Sequence, residues 1–293
     1  MAWKSILELL RRPGKDRIFE IITSAFWPYS RLDLFLKEVA DIVRTNGDVC
    51  NLRVSVDEFH DAKVKHDNTS ALLSRFLGSN EDGPLTLGFR SITGQEEYVR
   101  KKFHDATLAL GKTCNWQNDD PLRHTLSIDG TNYLVEYKNV VNPNRSELLD
   151  PCPLDKYIRI LEERYSRPFT LGSLEYTDKN PGFDITVNPN GDVVFYGMES
   201  AVIGNINEQL VDYSRIAEFF QSSELCRTLY RKPFSEILSV LRRDIGLRAL
   251  VEEVNNPYWI IRFANERMPG KIEKLLLEAN EPTVSDADEV LIR

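Results

Sequence analysis

The sequence predicts an α/β fold: an incomplete parallel β/α barrel of the TIM type, followed by β-hairpins and a helical C-terminal region. Three observations carry that expectation. Short apolar runs alternate with helical patterns as far as Leu110; an Asp-Gly turn then separates two strand-like runs; and helical spacing dominates from about Asp212 to Leu277. Successive strand–helix units favour parallel strands joined by right-handed crossovers.

The first strand is read at Arg17–Ser24, where Ile18, Phe19, Ile21 and Ile22 cluster. A helix follows from about Arg31 to Arg44, with an apolar stripe of Leu32, Phe35, Leu36, Val39, Ile42 and Val43. Ser30 and Asp33 have capping-box spacing at its start, and Thr45-Asn46-Gly47-Asp48 stops it. Leu52–Val56 is a second strand, Asn68–Leu77 a helix, and Leu85–Ile92 a third strand. Thr93-Gly94-Gln95-Glu96 repeats the capping-box spacing and opens a helix carrying Val99, Phe103, Ala106 and Leu110. Thr125–Ile128 and Thr131–Val141 flank Asp129-Gly130, a strong signal for a two-residue hairpin turn. Beyond a proline-rich break at Asp150-Pro151-Cys152-Pro153, a helix is predicted over Leu154–Tyr165. A second hairpin is written as Asp184–Val187, Asn188-Pro189-Asn190-Gly191 and Asp192–Tyr196, and the tail from Glu278 reads as polar and loose. The organisation expected is a partial barrel over 1–150, the remaining barrel edge with the second hairpin over 151–210, and a helical region over 211–293.

Composition narrows the function. With 293 residues, 42% hydrophobic and 28% charged, the chain can bury a sizeable core. Its net charge of −8 argues against a broad nucleic-acid or anionic-membrane surface, since phosphate binding needs clustered Lys and Arg. The basic residues Arg242, Arg243 and Arg248 sit among leucines at helical spacing and read as a solvated helix face. No run approaches the roughly 18 apolar residues of a membrane span. The amphipathic start, running to Arg11-Arg12-Pro13-Gly14, lacks a signal peptide's apolar core, so a cytoplasmic location is expected. Cys50, Cys114, Cys152 and Cys226 are scattered, with no CxxC or CxxxC pair to seed a zinc or iron–sulfur site. Neither Asp57-Glu58 nor Asp119-Asp120 reads as a metal site. Adjacent carboxylates on a strand point to opposite faces, and Asp-Asp-Pro reads as a turn.

Candidate site residues lie where the strands end, because parallel β/α barrels bind ligands at the C-terminal ends of their strands. These ends carry Thr23 and Ser24, then Ser55 through His60, then Arg90 through Thr93. Alternation puts Ser55 and Asp57 on one face and Val54 and Val56 on the other. A hydroxyl and a carboxylate so placed suit ribose hydroxyls, and a nearby Arg90 suits a carboxylate. Taken singly, such residues also serve neighbouring backbone groups; Thr93 reads as a helix cap and His60 as a surface loop residue.

Ile21-Ile22-Thr23-Ser24 and Leu52-Arg53-Val54-Ser55-Val56-Asp57 resemble the third and fourth strands of radical S-adenosylmethionine domains, whose patterns are close to ITNG and VRVSID. Arg90 is similar to an arginine often found near the methionine end of that cofactor. Asp184 through Val194, followed by Val202-Ile203-Gly204-Asn205-Ile206, resembles the hairpin of a SPASM or twitch extension. The resemblance implies S-adenosylmethionine held by Thr23, Ser24, Ser55, Asp57 and Arg90, with Glu58 and His60 facing a peptide or small-molecule substrate. It also has departures. The CxxxCxxC loop and the Gly-Gly-Glu motif are absent, and Ser24-Ala25 stands where Asn-Gly is usual. A [4Fe–4S] cluster is therefore not supported by this chain alone, and radical cleavage of the sulfonium needs one. The expectation is a portion or relative of a radical enzyme that takes a cluster-bearing segment from elsewhere; the alternative is a cluster-less, non-catalytic binding or partner protein. The first strand would then have an uncovered apolar edge, which implies a protein partner or self-association there.

Overall fold

A computed structural model describes residues 7, 11, 18–63, 66–77, 83–139, 152–172, 185–209 and 211–278. The proline-rich break up to Pro151, Asp184, most of the N-terminal amphipathic segment and the tail beyond Glu278 lie outside the described residues. The chain divides into two compact units, one ending at Asn139 and the other containing the described residues from Cys152 onward. The second hairpin and the C-terminal helices thus belong to one unit.

The first unit is mixed α/β, built on a mostly parallel six-stranded sheet. Its elements are β1 (Ile18–Thr23), α1 (Tyr29–Asn46), β2 (Val49–Ser55), α2 (Glu58–Asp61), α3 (Thr69–Phe76), β3 (Leu85–Ile92), α4 (Glu96–Ala109), β4 (Cys114–Asp120), β5 (Arg123–Ile128) and β6 (Thr131–Lys138). The strand order is β1-β2-β3-β6-β5-β4, parallel from β1 through β6 and antiparallel in the two remaining pairs. The predicted Asp129-Gly130 turn is present, with both residues in the left-handed region (φ 49° and 82°). This geometry matches the twist of the strands it joins. That hairpin does not stand apart from the sheet. Its second strand, β6, inserts beside β3, pairing Gly88 with Leu134 and Arg90 with Glu136.

Because the parallel strands are laid down in one direction, right-handed crossovers put their helices on one face. Burial agrees. Cys50, Leu52, Val54, Leu87, Phe89, Val135 and Tyr137 face Leu36, Val39, Leu72, Val99 and Phe103 in one core. Leu7, from the N-terminal segment, joins the same core, and Arg11 reaches Glu38 at 3.6 Å. The opposite face alternates with the first and is only partly exposed; it carries Glu20, Asn51, Arg53, Ser55, Gly88, Arg90, Leu134, Glu136 and Lys138.

Two local expectations are corrected. Ser30 and Asp33 form no capping box: Pro28 is the N-cap of α1 without a side-chain cap bond, and Asp33 pairs with Lys37 and Arg75 instead. Thr93 does not cap α4; its hydroxyl donates to Asn139 Oδ1 at 2.9 Å across the ends of β3 and β6, and the N-cap is Gln95.

The second unit contains α5 (Leu154–Tyr165) and a three-stranded antiparallel sheet of β7 (Ile185–Val187), β8 (Asp192–Phe195) and β9 (Met198–Asn205). Six helices follow: α6 (Tyr213–Ser222), α7 (Glu224–Arg231), α8 (Phe234–Leu241), α9 (Ile245–Val254), α10 (Pro257–Arg267) and α11 (Lys271–Glu278). Phe195 anchors the small sheet to the helices through Phe220 and Tyr230, with ring centroids 5.9 and 5.3 Å away. Asn205 closes the Asn188–Asp192 turn, its amide donating to the Asn190 carbonyl at 3.1 Å and to Asp192 Oδ1 at 2.9 Å. Gly191 turns with φ +93°, and a methyl group there would meet the Asn207 amide and approach Asn205 Oδ1 to 2.7 Å.

Candidate functional site

The C-terminal ends of β1, β2, β3 and β6 form one edge of the parallel sheet, and two sets of polar side chains gather there. The first lies in the turns leaving β1 and β2. Thr23 Oγ1 accepts from the Ala25 amide at 3.0 Å, so its hydroxyl oxygen is engaged locally, and Ser24 follows half-buried. Ala25 is left-handed (φ 50°), a conformation that costs a non-glycine residue energy. Asn68 holds the loop in that shape by donating to the carbonyls of Ala25 (2.5 Å) and Trp27 (2.8 Å).

Asp57 is 2% exposed and caps α2, accepting from the His60 amide at 2.9 Å. Its second oxygen lies 2.6 Å from His60 Nδ1. Burial raises the Asp57 pKa, but the hydrogen bonds from the His60 ring and backbone outweigh burial and hold it below the ordinary value. The same bond to Asp57, opposed by partial burial, raises the His60 pKa above its ordinary value. His60 is therefore an oriented, half-exposed imidazole, although its sequence setting reads as a plain loop. Asp57, expected beside Ser55 on an open face, spends both oxygens on α2 and His60. Glu58 is fixed from the other side: its amide donates to Gln95 Oε1 at 3.1 Å, and Gln95 Nε2 lies 3.5 Å from its carboxylate.

The second set covers the accessible face of the sheet. Registers make Ser55 and Arg90 direct neighbours, then Arg90 and Glu136, then Glu136 and Arg123. Arg53 contacts Glu20 and reaches Glu136 at 3.4 Å, and Arg123 reaches Glu136 at 3.3 Å. Arg90 has no such close partner. It approaches Glu136 and Glu20 only at 3.8 and 4.0 Å, although its side chain is just 18% exposed. The Nε atoms of Arg90 and Arg123 are buried without a hydrogen-bond partner among the described residues. Lys138 ends β6 on this face and makes no ion pair among the described residues. Its pKa is lowered by burial first and by Arg53 second, against the opposing pull of Glu136 and Glu20.

No family model, no curated protein and no solved structure matches this chain.

Of the residues singled out in the sequence, Ser55 and Arg90 come together on the accessible face. Thr23, Asp57 and His60 cluster in the turns; Glu58 sits beside Gln95. Sequence reasoning passed over Glu20, Arg53, Arg123, Glu136 and Lys138. Their signal was charge at alternate strand positions, opposite the apolar ones. On the helix side, a cleft of about 540 Å³ is lined in part by Asp61, Asp67, Tyr98 and Lys102. Its aspartates are engaged within the cleft: Lys102 bridges Asp61 (2.6 Å) and Asp67 (3.4 Å), and Lys101 pairs with Asp105.

Two of the four thiols are buried, and two are half-buried. Cys50 faces the core, where burial pushes its pKa up to about 12, and burial also raises that of Cys226. Among the described residues, no group of three or more His, Cys, Asp or Glu side chains is placed to hold a metal ion, and no helix is long and apolar enough to cross a membrane.

Proposed function

We propose that the first unit is an incomplete β/α barrel that binds S-adenosylmethionine at the C-terminal edge of its parallel strands. On this reading it is the larger portion, or a relative, of a radical enzyme whose cluster-bearing segment comes from elsewhere. The observation that carries the reading is the pairing of Ser55 with Arg90 on the accessible face, with the Arg90 guanidinium lacking a close partner. The aminobutyrate end of the cofactor is a zwitterion, which matches a face that alternates guanidinium and carboxylate groups. Arg90 takes the carboxylate, Glu20 or Glu136 the ammonium, and the Ser55 hydroxyl a ribose oxygen. The left-handed Ala25 adds support. It occupies the place where the resembling pattern has glycine, and it adopts a backbone conformation that glycine takes freely. The cysteines do not fit an iron–sulfur cluster, so no radical step is assigned to this chain.

The partner would cover β1. Among the described residues no strand pairs with its outer side, and Ile18 and Ile22 are 71% and 54% exposed. An apolar edge left open in this way favours pairing with another chain. The alternative, a cluster-less and non-catalytic binding or partner protein, is favoured by Asp57, whose carboxylate is consumed by α2 and His60.

Calorimetric titration with S-adenosylmethionine separates the readings. Saturable heat is expected from the wild-type chain. Losing one charged hydrogen bond in Arg90→Ala should weaken binding by at least about tenfold. Absence of heat from the wild type, or an unchanged affinity in Arg90→Ala, leaves the non-catalytic reading standing.

A further inference from the structure

The far edge of the six-stranded sheet holds a buried imidazole that the cofactor reading leaves unused. His124 is 6% exposed and shares its face of β5 with the core residues Leu126 and Ile128. Its Nδ1 is buried without a hydrogen-bond partner among the described residues. The ring sits between Trp116 of β4 and Tyr137 of β6, with centroids 6.3 and 4.8 Å away. Such a setting favours the neutral ring, because a buried cation needs a partner.

β4 is an edge strand, paired among the described residues only with β5, and α4 supplies its other contacts. Phe103 packs against Trp116 at 5.8 Å, and Arg100 lies 5.0 Å from the centre of the same indole. The Arg100 guanidinium also donates to Asn118 Oδ1 at 2.6 Å. Asn118 is the residue directly opposite His124 in the β4–β5 register. Arg100 and His124 therefore converge on one point of β4.

The other charges facing His124 are Glu96 of α4 and Asp119 and Asp120 of β4. Each is engaged locally: Glu96 by the Gly94 amide at 3.2 Å, Asp119 by the Thr125 hydroxyl at 2.8 Å, Asp120 by the Leu122 amide at 2.7 Å. From β6 comes Tyr137, whose pKa burial pushes up, so it stays a neutral phenol. Burial first and Arg100 second lower the His124 pKa below its ordinary 6.5, against the pull of the three carboxylates.

We infer that β4 is an acid-released edge with His124 as its trigger. A proton on His124 sets a second cation beside Arg100 at the Asn118 clasp, in a half-buried setting that screens the repulsion less than water does. β4 then loosens from α4 and β5, and the bared β5 edge becomes a surface on which another strand can pair. The device lies on the helix side of the sheet and is independent of the cofactor reading. Its sign is fixed. A base with a depressed folded pKa leaves stability intact above pH 6.5 and removes it as pH falls from 6.5 towards the folded value. His60 changes its contribution only above pH 6.5, and Asp57 only below 3.8, so the window belongs to His124.

Thiol labelling reads the release, because Cys114 is the first residue of β4 and is half-buried. The probe is 4,4′-dithiodipyridine, which reacts with thiols in mild acid, and peptide mass spectrometry separates Cys114 from the other cysteines. At about pH 5.5, Cys114 should label several-fold faster in the wild-type chain than in His124→Phe, which keeps a ring but takes no proton. At about pH 7.5 the two should label alike, and melting there verifies that the variant is folded; His124→Gln replaces it if it is not. NMR of 13C-labelled imidazoles gives a second readout. The resonance missing from the variant should titrate below 6.5 in the wild type and at higher pH in Arg100→Met, a shift that a purely structural arginine would not cause. Equal labelling of wild type and variant at pH 5.5, or a His124 that titrates at or above 6.5, overturns the inference.

Discussion

Replacing Asp57 with alanine tests whether the turn after β2 is a structural keystone. The buried carboxylate does two separable jobs: it caps α2 through the His60 amide and pairs with the His60 ring. Losing a cap costs about 1 kcal/mol. The ion pair is discounted to about 0.5 kcal/mol, because half of the His60 side chain is exposed to water. Asp57→Ala should therefore lose about 1.5 kcal/mol, and Asp57→Asn, which keeps a capping oxygen, only about 0.5 kcal/mol. In a Trp259→Phe background the tryptophans of the first unit alone report unfolding. With a urea slope of about 2 kcal/mol per molar, the midpoint should fall by roughly 0.7 M in Asp57→Ala.

The pH dependence fixes the assignment. The folded pKa of His60 is raised above 6.5, so the pair contributes fully below pH 6.5 and is lost as pH rises through the folded value. The folded pKa of Asp57 is lowered below 3.8, so its contribution is intact above pH 3.8 and is lost as pH falls through the folded value. The Asp57→Asn deficit should thus be present near pH 5.5 and gone near pH 9, while most of the Asp57→Ala deficit persists at pH 9. An Asp57→Ala midpoint equal to wild type at pH 5.5, or an Asp57→Asn deficit that ignores pH, would refute the reasoning.

Two more outcomes follow from the geometry. Gly191→Ala should cost roughly 2–3 kcal/mol, from the left-handed backbone and the displacement of Asn205 and Asn207, and should lower the thermal transition of the second unit. Under native conditions Cys114 and Cys152 should be alkylated by iodoacetamide well before Cys50, whose thiol is buried and pushed up to about 12, as mass spectrometry of timed aliquots would show.

What the sequence made legible was local. Leu32, Phe35, Leu36, Val39 and Val43 announce α1 because 3/4 spacing is a property of the helix itself. Asp129-Gly130 announces its turn because few other residues adopt two successive left-handed conformations. Pairings between distant segments were not legible. Nothing in Thr131–Lys138 says that it will slot parallel beside Leu85–Ile92 rather than remain in a free hairpin. The strand β4 was hidden by composition: Cys114-Asn115-Trp116-Gln117 alternates correctly, but its edge position leaves it too polar to form an apolar run. The ionic face was obscure for a related reason. Each of Glu20, Arg53, Glu136 and Lys138, met singly, reads as ordinary surface, and only the register gathers them on one face of the sheet. The capping-box reading at Ser30 failed because Pro28 already fixes the entry to α1, while Asp33 is drawn into an ion pair with Arg75.

The one-sided winding of the sheet also separates two kinds of evolutionary pressure. Residues pointing toward the helices set how well the unit folds; those on the reverse, on the proposed reading, set what it can hold, and the two sets alternate along the parallel strands without sharing side chains. A substitution such as Arg123→Gln or Glu20→Gln could retune ligand preference while leaving the apolar layer untouched. A scaffold arranged this way can change its chemistry in single steps, with no compensating repair inside.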